Sequence, residues 1–299
     1  MSICVVGSAN LDFVFRADRF PAAGETVLGG DFASFPGGKG ANQAVAIGKL
    51  GGEVHFVGCV GDDRFGDVLI DSLRAAGVDT ALLRRVEGVA SGCAGIVLDK
   101  TGQNRIIVAP GANLHVSAEQ VQSALAAFPD AAFLAQLEIP LEAASEIGHS
   151  QRAYLNPAPA APLPDSLLSQ LFAITPNETE TEVLTGIRPD DLDSSRAAAK
   201  VLLEKGAKNV VITLGENGCF WTSGKQELLV PSPKVKAIDT VAAGDCFTGA
   251  LVYFLSDGRD WENSLNLAAH AAALSVTREG AQASMPTRDE LRAFAGAFW

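Results

Sequence analysis

Between Ile3 and Thr213 the chain alternates short, continuous apolar runs with segments whose apolar residues recur at helical spacing, and this rhythm leaves few folds open. The continuous runs read as strands buried on both faces: Ile3–Val6, Val54–Cys59, Phe133–Leu137, Ala153–Asn156, Phe172–Thr175 and Val210–Thr213. Helical spacing covers Ala41–Leu50, Phe65–Ala76, Ser117–Phe128, Leu141–Gly148, Glu178–Leu184 and Ser194–Lys205, then Asp245–Ser256, Trp261–Thr277 and Thr287–Phe298. Gly51-Gly52 and Gly77 stop the first two helices, and Ser117-x-x-Gln120 reads as a capping box before the third. Alternation of this kind predicts an α/β fold, a doubly wound and mostly parallel sheet with helices on both faces.

Two segments, 11–36 and 91–109, break the alternation. The first mixes polar and apolar residues around Pro21, Gly24 and Gly29-Gly30, which predicts short antiparallel strands. The second places Ala94–Leu98 and Arg105–Val108 on either side of the turn cluster Asp99-Lys100-Thr101-Gly102, a hairpin pattern. Together they are expected to form a small β lid inserted in one α/β domain spanning 1–299. Gly215–Val230 reads as further antiparallel strands, and no repeat or long linker divides the chain.

A chain of 299 residues with 47% hydrophobic content can bury a large core. Its formal charge of −12 argues against a nucleic-acid or anionic-membrane partner, so a negatively charged ligand has to be held locally, by backbone N–H groups or metal ions. The five cysteines, Cys4, Cys59, Cys93, Cys219 and Cys246, show neither a disulfide framework nor zinc spacing. The opening MSICVVGSANLDF has no basic leader, and no apolar run approaches the ~20 residues needed to span a bilayer. The expectation is a reduced, cytoplasmic protein whose sequon at Asn177-Glu178-Thr179 stays unmodified.

Candidate chemistry concentrates first in Ile238-Asp239-Thr240-Val241-Ala242-Ala243-Gly244-Asp245, which runs directly into an apolar helix. Small residues let backbone N–H groups approach a ligand, and a helix start attracts anions. Asp245 at that place is either a helix cap or a carboxylate that takes a proton from a hydroxyl attacking a bound phosphate. Asn10 and Asp12, two apart in extended backbone, leave on one face beyond the first strand, suited to gripping adjacent hydroxyls or to capping a loop. Gly37-Gly38-Lys39-Gly40-Ala41-Asn42 lacks the spacing of a P-loop or a dinucleotide fingerprint, so backbone approach to an uncharged polyol, with Lys39 and Asn42 donating, fits it better than a phosphate cradle. Asn177 and Glu180 share the first turn of a helix and offer oxygen ligands to Mg²⁺ or its water shell; acidic residues there also compensate the helix dipole. Thr213-Leu214-Gly215-Glu216-Asn217-Gly218 could wrap a nucleotide or simply turn a hairpin.

Taken in order, GSANLD at 7–12, PGGKGANQA at 36–44, QLE at 136–138, NPAP at 156–159, TPNETE at 175–180, TLGENG at 213–218, DTVAAGD at 239–245 and VTREGAQAS at 276–284 give the chain a resemblance over nearly its whole length. It resembles the ribokinase or PfkB-like family of carbohydrate kinases. The resemblance implies ATP-dependent phosphorylation of the primary hydroxyl of a free sugar, D-ribose before others, with Asp245 as base and Ala242, Ala243 and Gly244 as anion hole. It assigns the sugar to Asn10, Asp12, Gly38, Lys39, Asn42 and Glu138. Mg²⁺ with the nucleotide phosphates falls to Asn177 and Glu180, the nucleotide to Thr213, Leu214, Gly215, Glu216, Asn217 and Gly218. K⁺ beside the anion hole is implied at Asp239, Val241, Ser275, Arg278, Gly280 and Ser284, and a homodimer through the lid. Departures from the family pattern are Val241, where Thr is common but only the carbonyl is used, Cys246 beside the base, and His270, displaced from the family's polar adenine neighbour.

Phosphoryl transfer demands alignment and charge stabilisation more than a strong base, which suits this acidic chain. Deoxyribose, another pentose or ketohexose, or a nucleoside are alternative acceptors. A dinucleotide-dependent oxidoreductase lacks its fingerprint after the first strand, and a silent sugar sensor would not need Asp245 with Asn177 and Glu180.

Overall fold

The computed structural model describes all 299 residues. Thirteen strands follow in order: β1 Ile3–Val6, β2 Asn10–Arg16, β3 Phe32–Gly37, β4 Val54–Gly61, β5 Leu83–Val86, β6 Gly92–Leu98, β7 Asn104–Ala109, β8 Ala132–Ala135, β9 Ala153–Leu155, β10 Ala173–Ile174, β11 Val210–Thr213, β12 Cys219–Thr222 and β13 Glu227–Val230. The helices are α1 Lys39–Lys49, α2 Arg64–Ala75, α3 Ala118–Ala127, α4 Leu141–Ser145, α5 Asp165–Leu168, α6 Glu178–Thr185, α7 Leu192–Glu204, α8 Ala243–Ser256, α9 Trp261–Ser275 and α10 Arg288–Ala295.

Nine strands form one sheet in the order β13-β12-β11-β10-β9-β8-β1-β4-β5, parallel from β11 to β5, with the β12–β13 hairpin antiparallel at one edge. Successive residues of a buried strand point to opposite faces, and β1 divides accordingly. Ile3 and Val5 pack with α1, α2, α8, α9 and α10, while Cys4 and Val6 pack with α3, α4 and α7. The helix α8 is apolar on nearly every side and buried from Asp245 to Ser256, the longest buried run of any helix in the molecule.

The second sheet has the order β3-β2-β6-β7 and draws all four strands from around the two segments that break the alternation. Its pairing is not wholly antiparallel as expected: β2 pairs antiparallel with β3 but parallel with β6, from Asn10 opposite Gly92 to Arg16 opposite Leu98. The cause is that β6 returns to β2 after a long excursion through β4, α2 and β5, which reverses the direction a hairpin would give. Other differences are local. The edge strand β5 is short and half exposed and carries two arginines, so it has no apolar run to announce it. Only half of the Ser117 capping box forms: Ser117 accepts from the Gln120 N–H, but the Gln120 amide instead donates to the Gly58 and Leu82 carbonyls.

The sheet order reverses at β1, whose neighbours β4 and β8 lie on opposite sides. Ligands of open α/β sheets settle beyond the carboxyl ends of strands at such a point, and the loops leaving β1, β8, β9, β10 and β11 carry Ser8, Glu138, Asn156, Asn177 and Leu214 there.

Candidate active site

The turn before α8 is unusual in its backbone. Ala242 is the single non-glycine residue with positive φ, at 59°, a conformation that costs an L-residue about 1–2 kcal/mol. It stands at the N-cap of α8 and carries no side-chain cap. Asp245 therefore sits inside the first turn and does not cap the helix, and the N–H groups of Ala242, Gly244 and Asp245 have no acceptor within the protein. These donors and the positive end of α8 face a cavity of about 190 Å³. Its lining includes Lys39, Asn177, Glu180, Thr213, Ala242, Ala243, Gly244 and Asp245, together with Asn156, Thr175 and Thr240, which lie in the quoted motifs but were given no role.

Asp245 is 7% exposed. Asn42 Nδ2 donates to its Oδ2 and Gln43 Nε2 to its Oδ1, each at 2.9 Å. Burial pushes its carboxyl above the usual range; Lys39 and the two amide donors pull it back, and Glu138 adds to the rise. Glu180 is raised mainly by burial as well, opposed by the Asn177 N–H and Lys39 and reinforced by Asp245 and Glu178. One ammonium thus faces two buried carboxylates.

Beyond Asp245 the sugar-facing candidates converge on the β1–β2 turn. Gly38 lies at φ 87°, and a Cβ there would come within 3.0 Å of Ser8, Ala9 and Asn10 backbone atoms, so only glycine lets the start of α1 rest on that turn. Glu138 accepts from Ser8 Oγ at 2.5 Å and from the Lys39 N–H at 3.0 Å. Asn10 is buried, and its Oδ1 accepts from Asn113 Nδ2 at 2.7 Å, which leaves its own amide hydrogens for another partner. The Asp12 carboxyl is pushed up to about 7, by burial first and by Glu138 second. Asn10, Asp12, Glu138, Lys39, Asn42 and Asp245 are thereby brought to one region. Ser8, which holds Glu138, lies inside the GSANLD motif without an assigned role, and Asn113, which holds Asn10, lies outside every quoted motif.

Asn177 and Glu180 form a complete capping box, Asn177 Oδ1 accepting the Glu180 N–H at 2.8 Å and Glu180 Oε2 the Asn177 N–H at 2.9 Å. Glu180 has no Lys or Arg ion pair although it is 7% exposed, so a cation beside it would relieve the cost of its burial. No group of three or more His, Cys, Asp or Glu side chains gathers to hold a metal unaided. That suits Mg²⁺, which keeps few protein ligands and takes the rest from phosphate and water. Of the loop 213–218 only Thr213 reaches the cavity. The remainder is a tight turn between antiparallel β11 and β12, closed by the Leu214 N–H on the Gly218 carbonyl at 2.8 Å, so Leu214, Gly215, Glu216, Asn217 and Gly218 form a rim beside the cavity.

Asp239 Oδ1 accepts the Val241 N–H and Oδ2 the Gly280 N–H, each at 3.0 Å, lacing the turn before α8 to the loop 275–284. That loop is further held by Lys49 Nζ, which donates to the carbonyls of Gln282 and Met285 at 2.7 and 3.0 Å, while Ser284 Oγ donates to the Ala281 carbonyl and the Arg278 N–H to the Ser275 carbonyl. Asp239 carries no Lys or Arg partner. Cys246 is 1% exposed and burial pushes its thiol up to about 12, so it is inert. His270 Nδ1 donates to the Asn266 carbonyl at 2.7 Å and the ring packs on Phe294 and Phe298, away from the cavity lining.

The profile of the pfkB family carbohydrate kinases matches residues 1–288. The chain is 40% identical over 299 residues to a ribokinase of Haemophilus influenzae, covering 98% of both, and 38% identical over 301 residues to a deoxyribokinase of Salmonella typhi, again covering 98% of both. Among solved structures it is similar to a ribokinase of Thermotoga maritima, with TM-score 0.90 at 40% identity and 98% of both chains covered. An Arabidopsis thaliana ribokinase complexed with ribose and ATP superposes with TM-score 0.91 at 31% identity, also over 98% of both chains. A match of this extent in sequence and in fold makes the chain a member of the pfkB family of carbohydrate kinases.

Proposed function

We propose that this carbohydrate kinase transfers the γ-phosphoryl group of ATP to the primary hydroxyl of free D-ribose, giving ribose 5-phosphate and ADP. The observation that carries the reading is the buried Asp245 carboxylate one residue from unpaired backbone N–H groups in the same cavity. A hydroxyl donating to Asp245 and a phosphoryl group seated on those N–H groups are neighbours by construction. The P–O bond to the sugar forms as the P–O bond to ADP breaks, and the hydroxyl proton passes to Asp245. In the turn Ala242-Ala243-Gly244 the unpaired N–H groups of Ala242 and Gly244 meet charge that builds on the transferring group. Lys39 spans the two halves of the site, and Asn10, Asp12, Gly38, Asn42 and Glu138 hold the sugar. Mg²⁺, when bound with the nucleotide, neutralises phosphate charge near Asn177 and Glu180. Thr213 and the rim Leu214–Gly218 border the nucleotide.

The small sheet acts as a lid of the single domain, closing over the sugar to exclude water. It also pairs with a second copy, a reading supported by β7, exposed at all six residues and bearing Ile106, Ile107 and Val108. Asp239, Val241, Ser275, Arg278, Gly280 and Ser284 would hold K⁺ between the turn before α8 and the loop 275–284, where it would offset phosphate charge. Equal rates in Na⁺-only and K⁺ buffers count against it. Five free cysteines suit the reducing cytoplasm.

Deoxyribose is the second reading, favoured by the Salmonella typhi relative. Initial rates with ATP across ribose, deoxyribose, other pentoses, ketohexoses and nucleosides decide. Ribose is expected to have the highest kcat/KM; a nucleoside ahead of every free sugar overturns the assignment.

A further inference from the structure

Asp245 ends a run of side-chain amides whose orientations are forced. The Thr175 carbonyl can only accept, so Asn156 turns Nδ2 toward it, at 2.8 Å, and Oδ1 away. That oxygen and the Asp245 carboxylate are both acceptors, so Gln43 presents Nε2 to them, one hydrogen to Asn156 Oδ1 at 3.0 Å and the other to Asp245 Oδ1 at 2.9 Å. Gln43 Oε1 then takes a hydrogen from Gln136 Nε2 at 2.6 Å. Gln43 and Gln136 are wholly buried, Asn156 nearly so. Gln136 Oε1 has no partner, so the donors begin there and run inward to the carboxylate. Leaving a buried oxygen unpaired is a cost that an apolar residue of the same size would avoid, and packing alone does not account for it.

We propose that Gln43, locked by Gln136 and Asn156, is the positioning residue that fixes the Asp245 carboxylate in place and keeps it ionised, and that Asn156 ties this geometry to the end of β10, two residues before Asn177. The inference rests on Asp245 as the acceptor of the sugar proton. Gln136 donates to Gln43 and Gln43 donates to the carboxylate, and no amide oxygen of the run bonds to it, which selects the charged form. Cooperative polarisation along the run strengthens the last bond. The charged and titratable groups around Asp245 are Lys39 from α1, Glu138 after β8, Glu180 on α6 and Cys246 on α8, with Asp12 on β2 beyond Glu138. The substitutions below leave all of them in place.

The test measures kcat at saturating ribose and ATP from pH 5 to 9, which reports groups in the bound complex and so removes the part of Asp12 in sugar binding. Gln43→Met and Gln136→Met nearly preserve volume, and thermal melting checks that each folds. Gln43→Met is expected to move the acidic limb to higher pH by about one unit, the size of one lost bond to a charged group, with kcat at pH 7 down roughly tenfold or more and KM for ATP within about threefold. Gln136→Met, which does not touch Asp245, should move the limb the same way by less, and it decides alone if the first variant fails to fold. An unmoved limb in a folded variant, with Asp245→Asn inactive, overturns the positioning role and leaves the base assignment standing. Near wild-type turnover in Asp245→Asn overturns both.

Discussion

Asp245 is held by two neutral amides and opposed by its own burial, so its charge is available to the reaction without being neutralised in an ion pair. Replacing it by Asn keeps the volume and removes the proton acceptor. Asp245→Asn is expected to lower kcat by about 10²–10⁴, the usual worth of a positioned general base, while the sugar KM changes little; steady-state kinetics with ribose measure both. Asp12 gives a separate pH signature. Its carboxyl, pushed up to about 7, is largely protonated below that pH in the free protein. A sugar hydroxyl donates best to the ionised form, so KM for ribose is expected to fall as pH rises from 6 to 8, and Asp12→Asn to abolish that trend. The same shift works against folding: the native state holds this proton more tightly than the unfolded chain, so the contribution of Asp12 to stability is lost as pH rises through about 7. At this scale the sequence displayed Asp245, Asn42 and Lys39, which the structure gathers in one region, because they sit at glycine-marked helix starts. Their partners Ser8, Gln43, Asn113 and Asn156 were not legible as such. Gln43 bonds Asp245 across 202 positions of sequence and Asn113 bonds Asn10 across 103, distances over which no local pattern acts.

The start of α8 concentrates the element-scale argument. Ala242 bears left-handed strain at the turn, of the kind that persists where the surrounding structure over-determines it. Two residues on, a Cβ at Gly244 would meet no protein atom within 4 Å. Gly244→Ala is therefore expected to fold normally, with stability unchanged or raised by up to about 1 kcal/mol through loss of unfolded-chain freedom. The added methyl lies where a phosphoryl group has to approach, so kcat/KM for ATP should drop at least tenfold; melting curves beside ATP titrations separate the two effects, and a variant that folds and keeps full ATP kinetics would remove the turn from the mechanism. Helical periodicity made α8 readable because its apolar run is long, whereas the Ala242 conformation has no signature in residue type. Asn177 and Glu180 show how one sequence pattern serves two ends: the pair caps α6 completely and still lines the cavity.

At the scale of the whole molecule, the parallel strands from β4 to β11 of the large sheet were legible because buried parallel strands are continuous apolar runs, and the topology places their carboxyl ends on one side. The parallel β2–β6 pairing was not, since register between strands far apart in sequence depends on the path of the intervening chain. By register Phe15, Phe32 and Ile107 share one face of the small sheet, with Ile106 and Val108 on the other, and all five are exposed. Apolar surface of this kind on both faces and one edge calls for a partner. Replacing Ile106 and Ile107 together by Asp is expected to turn a dimer into a monomer in light-scattering chromatography and to raise the ribose KM; an unchanged mass would show that this sheet does not join subunits. The central claim, that the α8 turn delivers a phosphoryl group to a hydroxyl poised on Asp245, is tested most directly by a crystal structure with ribose and a non-hydrolysable ATP analogue. The account predicts the primary hydroxyl within hydrogen-bond distance of the Asp245 carboxylate and γ-phosphate oxygens on the unpaired Ala242 and Gly244 N–H groups. A sugar bound with that hydroxyl turned from Asp245, or a triphosphate whose end lies away from the turn, contradicts it.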